Sequence, residues 1–220
     1  MQGRARALMD GRTQTLTRLA GGGVPTAAAA AQTPEALSTA CAAAMAATRL
    51  KDWRVAGAAL ARAKALAAPQ GEAVQRPVLV MQVESLLERG QTAEAARVLS
   101  GGVLDGSRAG LLLAARLATL AGAEATLVAR TREDLQTWVA LHPGDGSAWL
   151  ALAQVQERQG APLAALRAHA EARHAEGDLS GAVDRLRAGQ RLARSQGAVE
   201  SVEGVIIESR LKAIEQQRRI

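Results

Sequence analysis

Glycine interrupts this chain at helix-length intervals. Gly90, the group Gly101, Gly102 and Gly106, then Gly122, Gly144 with Gly146, Gly160, Gly177 and Gly197 mark successive breaks. Between the breaks the apolar residues are chiefly alanine and leucine, the residues with the strongest intrinsic helix preference. Residues that favour strands are scarce: there is no Phe or Tyr, and the only aromatics are Trp53, Trp138 and Trp149. Segments of this length with short connections predict an all-α chain of stacked antiparallel helix pairs. An irregular α-bundle is the competing architecture.

Start and stop signals place the elements. Thr33 is an N-cap, Pro34 suits the first helical position and Glu35 the first turn, so the ordered helices begin there. Breaks at Lys51-Asp52, Pro69-Gln70-Gly71 and Gly90 predict helices over 34–50, 52–67, 76–89 and 92–100. His142-Pro143-Gly144-Asp145-Gly146 reads as a strong turn. Residues 1–32 are set apart as a short basic helix to about residue 20, followed by a linker containing Gly21, Gly22, Gly23 and Pro25. Residues 33–197 form the repeats. Residues 198–220 form a last helix with apolar Val199, Val202, Ile206, Ile207, Leu211 and Ile214 against a polar side, the form a terminal cap requires. Glu200, Glu203, Glu208 and Glu215 would repel anionic lipid, which argues against a membrane-surface helix.

The spacing also fits a repeat. In a 34-residue, two-helix frame, Trp149, Leu152, Ala153, Gly160, Ala165 and Ala172 fall at positions 4, 7, 8, 15, 20 and 27, with His169 standing where a bulky apolar residue is usual. Ala44, Ala56, Leu60 and Ala63 fit a second frame. Gly90, Ala95 and Leu99 fit a third, in which position 27 falls on Gly102. Ala170, Gly177, Ala182 and Leu186 fit a fourth. Small residues occupy the positions where helices cross closest. This pattern resembles the tetratricopeptide repeat (TPR), so the expected fold is a TPR-like α-solenoid with a carboxyl-terminal capping helix.

Several chemistries find no support in the sequence. His169 and His174 are five residues apart, about 140° around a helix, whereas a helical zinc pair sits at i and i+4. Cys41 stands alone in an alanine-rich stretch and reads as a small buried hydrophobe. No phosphate-binding glycine motif and no catalytic carboxylate pair is present, so no catalytic or metal residue is assigned and no cofactor is expected. The formal net charge is +6, and a basic nucleic-acid-binding repeat is therefore one alternative. The arginines are scattered among acidic residues, as at Glu157/Arg158 and Asp184/Arg185/Arg187, with no interleaved aromatics for base stacking. Nucleic acid is not the expected partner. No apolar run is long enough to span a membrane. The opening MQGRARALMDGRTQTL lacks the apolar core of a signal peptide, which leaves a cytoplasmic chain or a piece of a larger one.

The run LHPGDGSAWLALAQVQERQGAPLAALRAHAEARHAEGDLSGAVDRLRAGQRLA, followed by VESVEGVIIESRLKAIEQQRR, resembles the carboxyl-terminal TPR region of the BepA-type bacterial periplasmic zinc metalloproteases. The segment Leu166–Ala182 carries most of the likeness, and MQGRARALMD is similar to the stretch where the protease domain meets the repeats. In that family zinc and the catalytic HExxH belong to an upstream domain, and no residue of this chain matches them. The resemblance implies a non-catalytic, periplasmic module that docks substrates and partners, among them the β-barrel assembly machinery and outer-membrane client proteins. An independent TPR-like scaffold is the alternative. In either case the partner is a protein surface or extended peptide lying in a groove lined by the first helix of each pair. The repeat frames place Glu84, Glu88, Gln154, Arg158, Arg167, Glu171 and His174 on that groove, with Arg158 and Arg167 suited to pairing with carboxylates.

Overall fold

The computed structural model describes residues 13–21, 33–102, 104 and 106–218. Among the described residues there is no strand. Eleven α-helices follow one another among the described residues: α1 (Thr13–Gly21), α2 (Pro34–Arg49), α3 (Trp53–Ala67), α4 (Glu72–Glu88), α5 (Thr92–Leu99), α6 (Arg108–Thr119), α7 (Ala125–Leu141), α8 (Gly146–Arg158), α9 (Pro162–Ala175), α10 (Leu179–Ser195) and α11 (Val202–Gln217). A short 3-10 turn, Ala68–Gln70, links α3 to α4. The expected linker over 22–32, and the residues before 13, lie outside the described residues.

The helix ends follow from the residues that cap them. Thr33, Asp52, Asp145, Asp178 and Ser201 each accept a hydrogen bond from a backbone N–H in the first turn of the helix that follows. Such caps satisfy donors that have no partner within the helix. Gly160 and Gly177 terminate α8 and α9 in the left-handed region, at φ 71° and 81°. Lys51 turns the α2–α3 connection the same way at φ 57°. Three caps share a further detail. The N–H groups of Gly110, Gly181 and Gly204 reach Ser107 Oγ, Asp178 Oδ1 and Ser201 Oγ at 3.1, 2.8 and 3.1 Å. In each case a Cβ on the glycine would collide with the residues that make the turn. At Asp178 the backbone bond from Gly181, then the Ser180 hydroxyl, hold the carboxyl below its ordinary range.

Two boundaries differ from the sequence expectation. Helix α4 begins at Glu72 rather than near residue 76, with Pro77 inside it. Proline removes one hydrogen bond, and this early in the helix the missing bond would have gone to the carbonyl of Ala73, in the first turn. The last helix begins at Val202, not 198, because Ser201 caps it. Its apolar arc is consequently narrower. Ile207, Leu211 and Ile214 are buried, Ile206 is partly covered, and Val199 and Val202 face solvent.

The chain divides into two compact units within α6, residues 1–113 and 114–220. In the first, α1 to α5 pack neighbour on neighbour, α1 on α2 through to α4 on α5. Alanines fill the crossings: Ala43, Ala44 and Ala59 lie against Leu60 and Met81, and Ala46, Ala47 and Ala56 against Leu16. In the second, α7 to α11 likewise pack neighbour on neighbour. There Ala170 and Ala182 let α9 and α10 approach, over a core of Val183, Leu186, Ile207, Leu211 and Ile214. The alanines placed at helix crossings by their spacing (Ala44, Ala56, Ala63, Ala95, Ala153, Ala165, Ala170, Ala172 and Ala182) are all buried. Each covers little apolar area, so close helix approach, rather than side-chain bulk, fills these cores. No helix among the described residues is long and apolar enough to cross a membrane.

Candidate functional site

The turn between α7 and α8 is pinned from both sides, and it fixes how α8 presents itself. Trp138 donates from Nε1 to Asp145 Oδ2 at 2.9 Å, while Asp145 Oδ1 caps α8 by accepting from the Ala148 N–H. The Trp138 and His142 rings stack with centroids 4.1 Å apart. Trp149 donates from Nε1 to the Pro143 carbonyl at 3.0 Å. With its start held this way, α8 turns Ala148, Leu152 and Val155 inward. Its outer face carries Ser147, Leu150, Gln154 and Arg158, all exposed. These residues run at i, i+3, i+7 and i+11, one continuous stripe along the helix. Leu150 is 41% exposed, and Leu141, just before the turn, is 72% exposed. Neither Gln154 nor Arg158 has a hydrogen-bond or ion-pair partner among the described residues. Two of the seven expected groove residues thus stand free on the α8 stripe beside Leu150, which is not among those seven. The signal for Leu150 was present, since it occupies the fifth position of the same repeat frame.

Arg167, Glu171 and His174 also share one face, at i, i+4 and i+7 of α9, but that face is covered by α11. Arg167 meets Glu203 through two bonds, Nε to Oε2 at 2.7 Å and Nη2 to Oε1 at 3.2 Å. Arg210 meets Glu171 in the same fork, at 2.6 and 2.7 Å. His174 Nε2 lies 3.0 Å from the Gln217 side-chain oxygen. The partners on α11 fall at i, i+7 and i+14, every second helical turn, so the two helices are joined by a three-rung polar ladder. Side-chain exposure is 10% at Glu171 and 16% at Arg167. Expected to line an open groove, these three side chains instead hold the chain's own last helix in place. The Arg210 guanidinium is pushed up in pKa, first by its bonds to the Glu171 carboxylate.

Glu84 and Glu88 lie on α4 in the first unit, Glu84 partly covered and Glu88 exposed. The two histidines face apart, as their spacing predicts: His169 Nε2 is 2.9 Å from Glu157 on α8, whereas His174 turns to α11. Cys41 is partly buried between two of the alanine-rich clusters, and burial raises its thiol pKa. Among the described residues, no group of three or more His, Cys, Asp or Glu is placed to hold a metal ion. In the first unit Arg89 packs over the Trp53 ring, 5.3 Å from its centroid, and donates to the Trp53 carbonyl at 3.2 Å. This arrangement ties α4 to the start of α3. No family model matches the chain, and no curated protein matches it either.

Proposed function

We propose that this chain is a non-catalytic protein-docking module built of TPR-like helix pairs. The observation that carries this reading is the outer stripe of α8. Leu150, Gln154 and Arg158 offer an apolar anchor, an amide and an unpaired guanidinium on one rigid helix. Protein contact surfaces combine apolar contact with a polar rim, and arginine is enriched in them. Arg158 suits a carboxylate on the partner, which it can grip through two parallel bonds. The resemblance to the BepA-type repeat region supports a more specific form of the proposal. In that form the module is periplasmic and serves a zinc metalloprotease, docking outer-membrane clients or components of the β-barrel assembly machinery. Zinc and catalysis would then reside in a separate domain.

A pull-down tests both levels, with the full chain as bait against periplasmic and outer-membrane extract. The informative variant is Leu150→Glu with Arg158→Glu, because both side chains are exposed and the fold does not use them. Arg167 is a poor choice, since replacing it breaks the pair with Glu203. The expected result is recovery of β-barrel assembly components or outer-membrane clients, reduced at least about tenfold in the double variant, with unchanged helical circular dichroism. Recovery of cytoplasmic proteins alone, lost in the variant, would leave a TPR-like scaffold and remove the periplasmic assignment. Equal recovery by both proteins, or recovery only of nucleic acid that washes off with salt, would overturn the docking surface on α8.

A further inference from the structure

A second surface, on the far side of the last helix from the polar ladder, has a charge pattern of its own. Helix α10 contributes Arg187, Arg191 and Arg194 at i, i+4 and i+7, and α11 contributes Glu208, Lys212 and Glu215 at the same spacing. Together they line a cleft of about 440 Å³ whose floor includes Leu211. Arg187 closes one end by pairing with Glu215 at 2.7 Å, and Lys212 pairs with Glu208 at 2.8 Å along the α11 wall. Lys212 holds the Glu208 carboxyl below its ordinary range, and Arg194 adds a weaker pull. Four cationic and two anionic side chains leave a surplus of two positive charges. The surplus is localised, since Arg191 and Arg194 are exposed and neither has an ion-pair partner among the described residues.

We propose that this cleft docks an acidic segment of a partner polypeptide, with Arg191 and Arg194 each receiving one carboxylate. The two arginines are one helical turn apart, which places their Cβ atoms roughly 5–6 Å from each other. In an extended chain, side chains two residues apart point the same way at roughly 6.6 Å. A segment with acidic residues at alternate positions therefore meets both guanidiniums, and each guanidinium can grip its carboxylate with two bonds. The cleft walls disfavour a nucleic-acid strand. Glu208 and Glu215 are held in place by their own partners, and a continuous run of phosphates would lie against them. No aromatic side chain lines the cleft to stack a base. A peptide avoids both difficulties, because neutral backbone separates its charges. This inference rests on the docking reading for its class of ligand, but it uses none of the α8 residues.

The test is fluorescence anisotropy with the full chain and a labelled heptapeptide alternating glutamate and glycine, at low salt. Saturable binding is expected, weakened at least about tenfold in Arg191→Gln/Arg194→Gln and further in Arg191→Glu/Arg194→Glu. The glutamine analogue of the peptide should not bind. Both variants should keep the parent circular dichroism, because the replaced side chains are exposed and unpaired. The Leu150→Glu/Arg158→Glu protein should bind the peptide normally, so this result and the pull-down can fail independently. Absence of binding by the parent chain, equal binding by the arginine variants, or tighter Arg191- and Arg194-dependent binding of a single-stranded oligonucleotide would each overturn the proposal.

Discussion

Replacing Gly204 with alanine destabilises the chain, although alanine is the better helix former. Helix propensity alone would reward that change by about 1 kcal/mol. At this site, however, a Cβ would run into the backbone carbonyl oxygens of Ala198 and Val199, where the chain folds back before α11. Backbone atoms at a capped turn cannot step aside as a flexible side chain can. The cap from Ser201 Oγ to the Gly204 N–H would be strained in the same movement. Overpacking of this kind costs about 2 kcal/mol, which outweighs the propensity gain. Gly57→Ala supplies the control. Its Cβ would meet only Arg89 Nη2, at an ordinary 3.9 Å, so the same exchange should stabilise there. Urea titration of both variants reads the two signs. Stabilisation by Gly204→Ala would show that the turn before α11 is looser than described.

Removing Arg210 is the second large effect. Arg210→Met leaves the Glu171 carboxylate facing α11 without its two charge-assisted bonds, and that side chain is only 10% exposed. An uncompensated buried charge costs about 3–5 kcal/mol. Arg210 itself is 35% exposed, so water re-enters in part, and a loss of about 2–3 kcal/mol is expected. The double variant Glu171→Leu/Arg210→Met removes both charges and should recover most of that loss, since an apolar pair can replace a buried ion pair. Thermal or urea unfolding of the parent, the two single variants and the double variant closes the cycle. If Arg210→Met cost no more than an ordinary surface substitution, α11 would not be clasped to α9 by this ladder.

The ladder also shows where sequence reading stops. Glycines, prolines and N-cap residues announced most helix ends, because the chemistry of a helix end is local. Ala153, Ala165 and Ala182 were recognisable as crossing points for the same reason, since their spacing repeats with the helices they join. Arg167, Glu171 and His174 were correctly placed on one face, as periodicity alone decides that. What the face meets depends on residues 36 to 43 positions further along the chain. Periodicity within one helix carries no information about that distance. The complementary pattern was nonetheless present, in Glu203, Arg210 and Gln217 at intervals of seven. Leu150 stands at the fifth position of the same repeat frame, but that it is exposed shows only once the turn at 142–146 fixes the rotation of α8. The α10–α11 cleft was hidden likewise: Arg191 and Arg194 look like ordinary surface charge until Lys212 and the paired Glu208 and Glu215 are brought opposite them.

Photo-cross-linking from the outer stripe of α8 asks whether that stripe meets a partner protein. A photoreactive amino acid replaces Gln154 in one protein and Asp184, exposed on α10, in another, and each is irradiated in the extract used for the pull-down. A discrete adduct from position 154, identifiable by mass spectrometry, is expected, absent from position 184 and lost when Arg158→Glu is added. Adducts of equal yield and pattern from both positions, or none from position 154 while the chain remains folded, would contradict it.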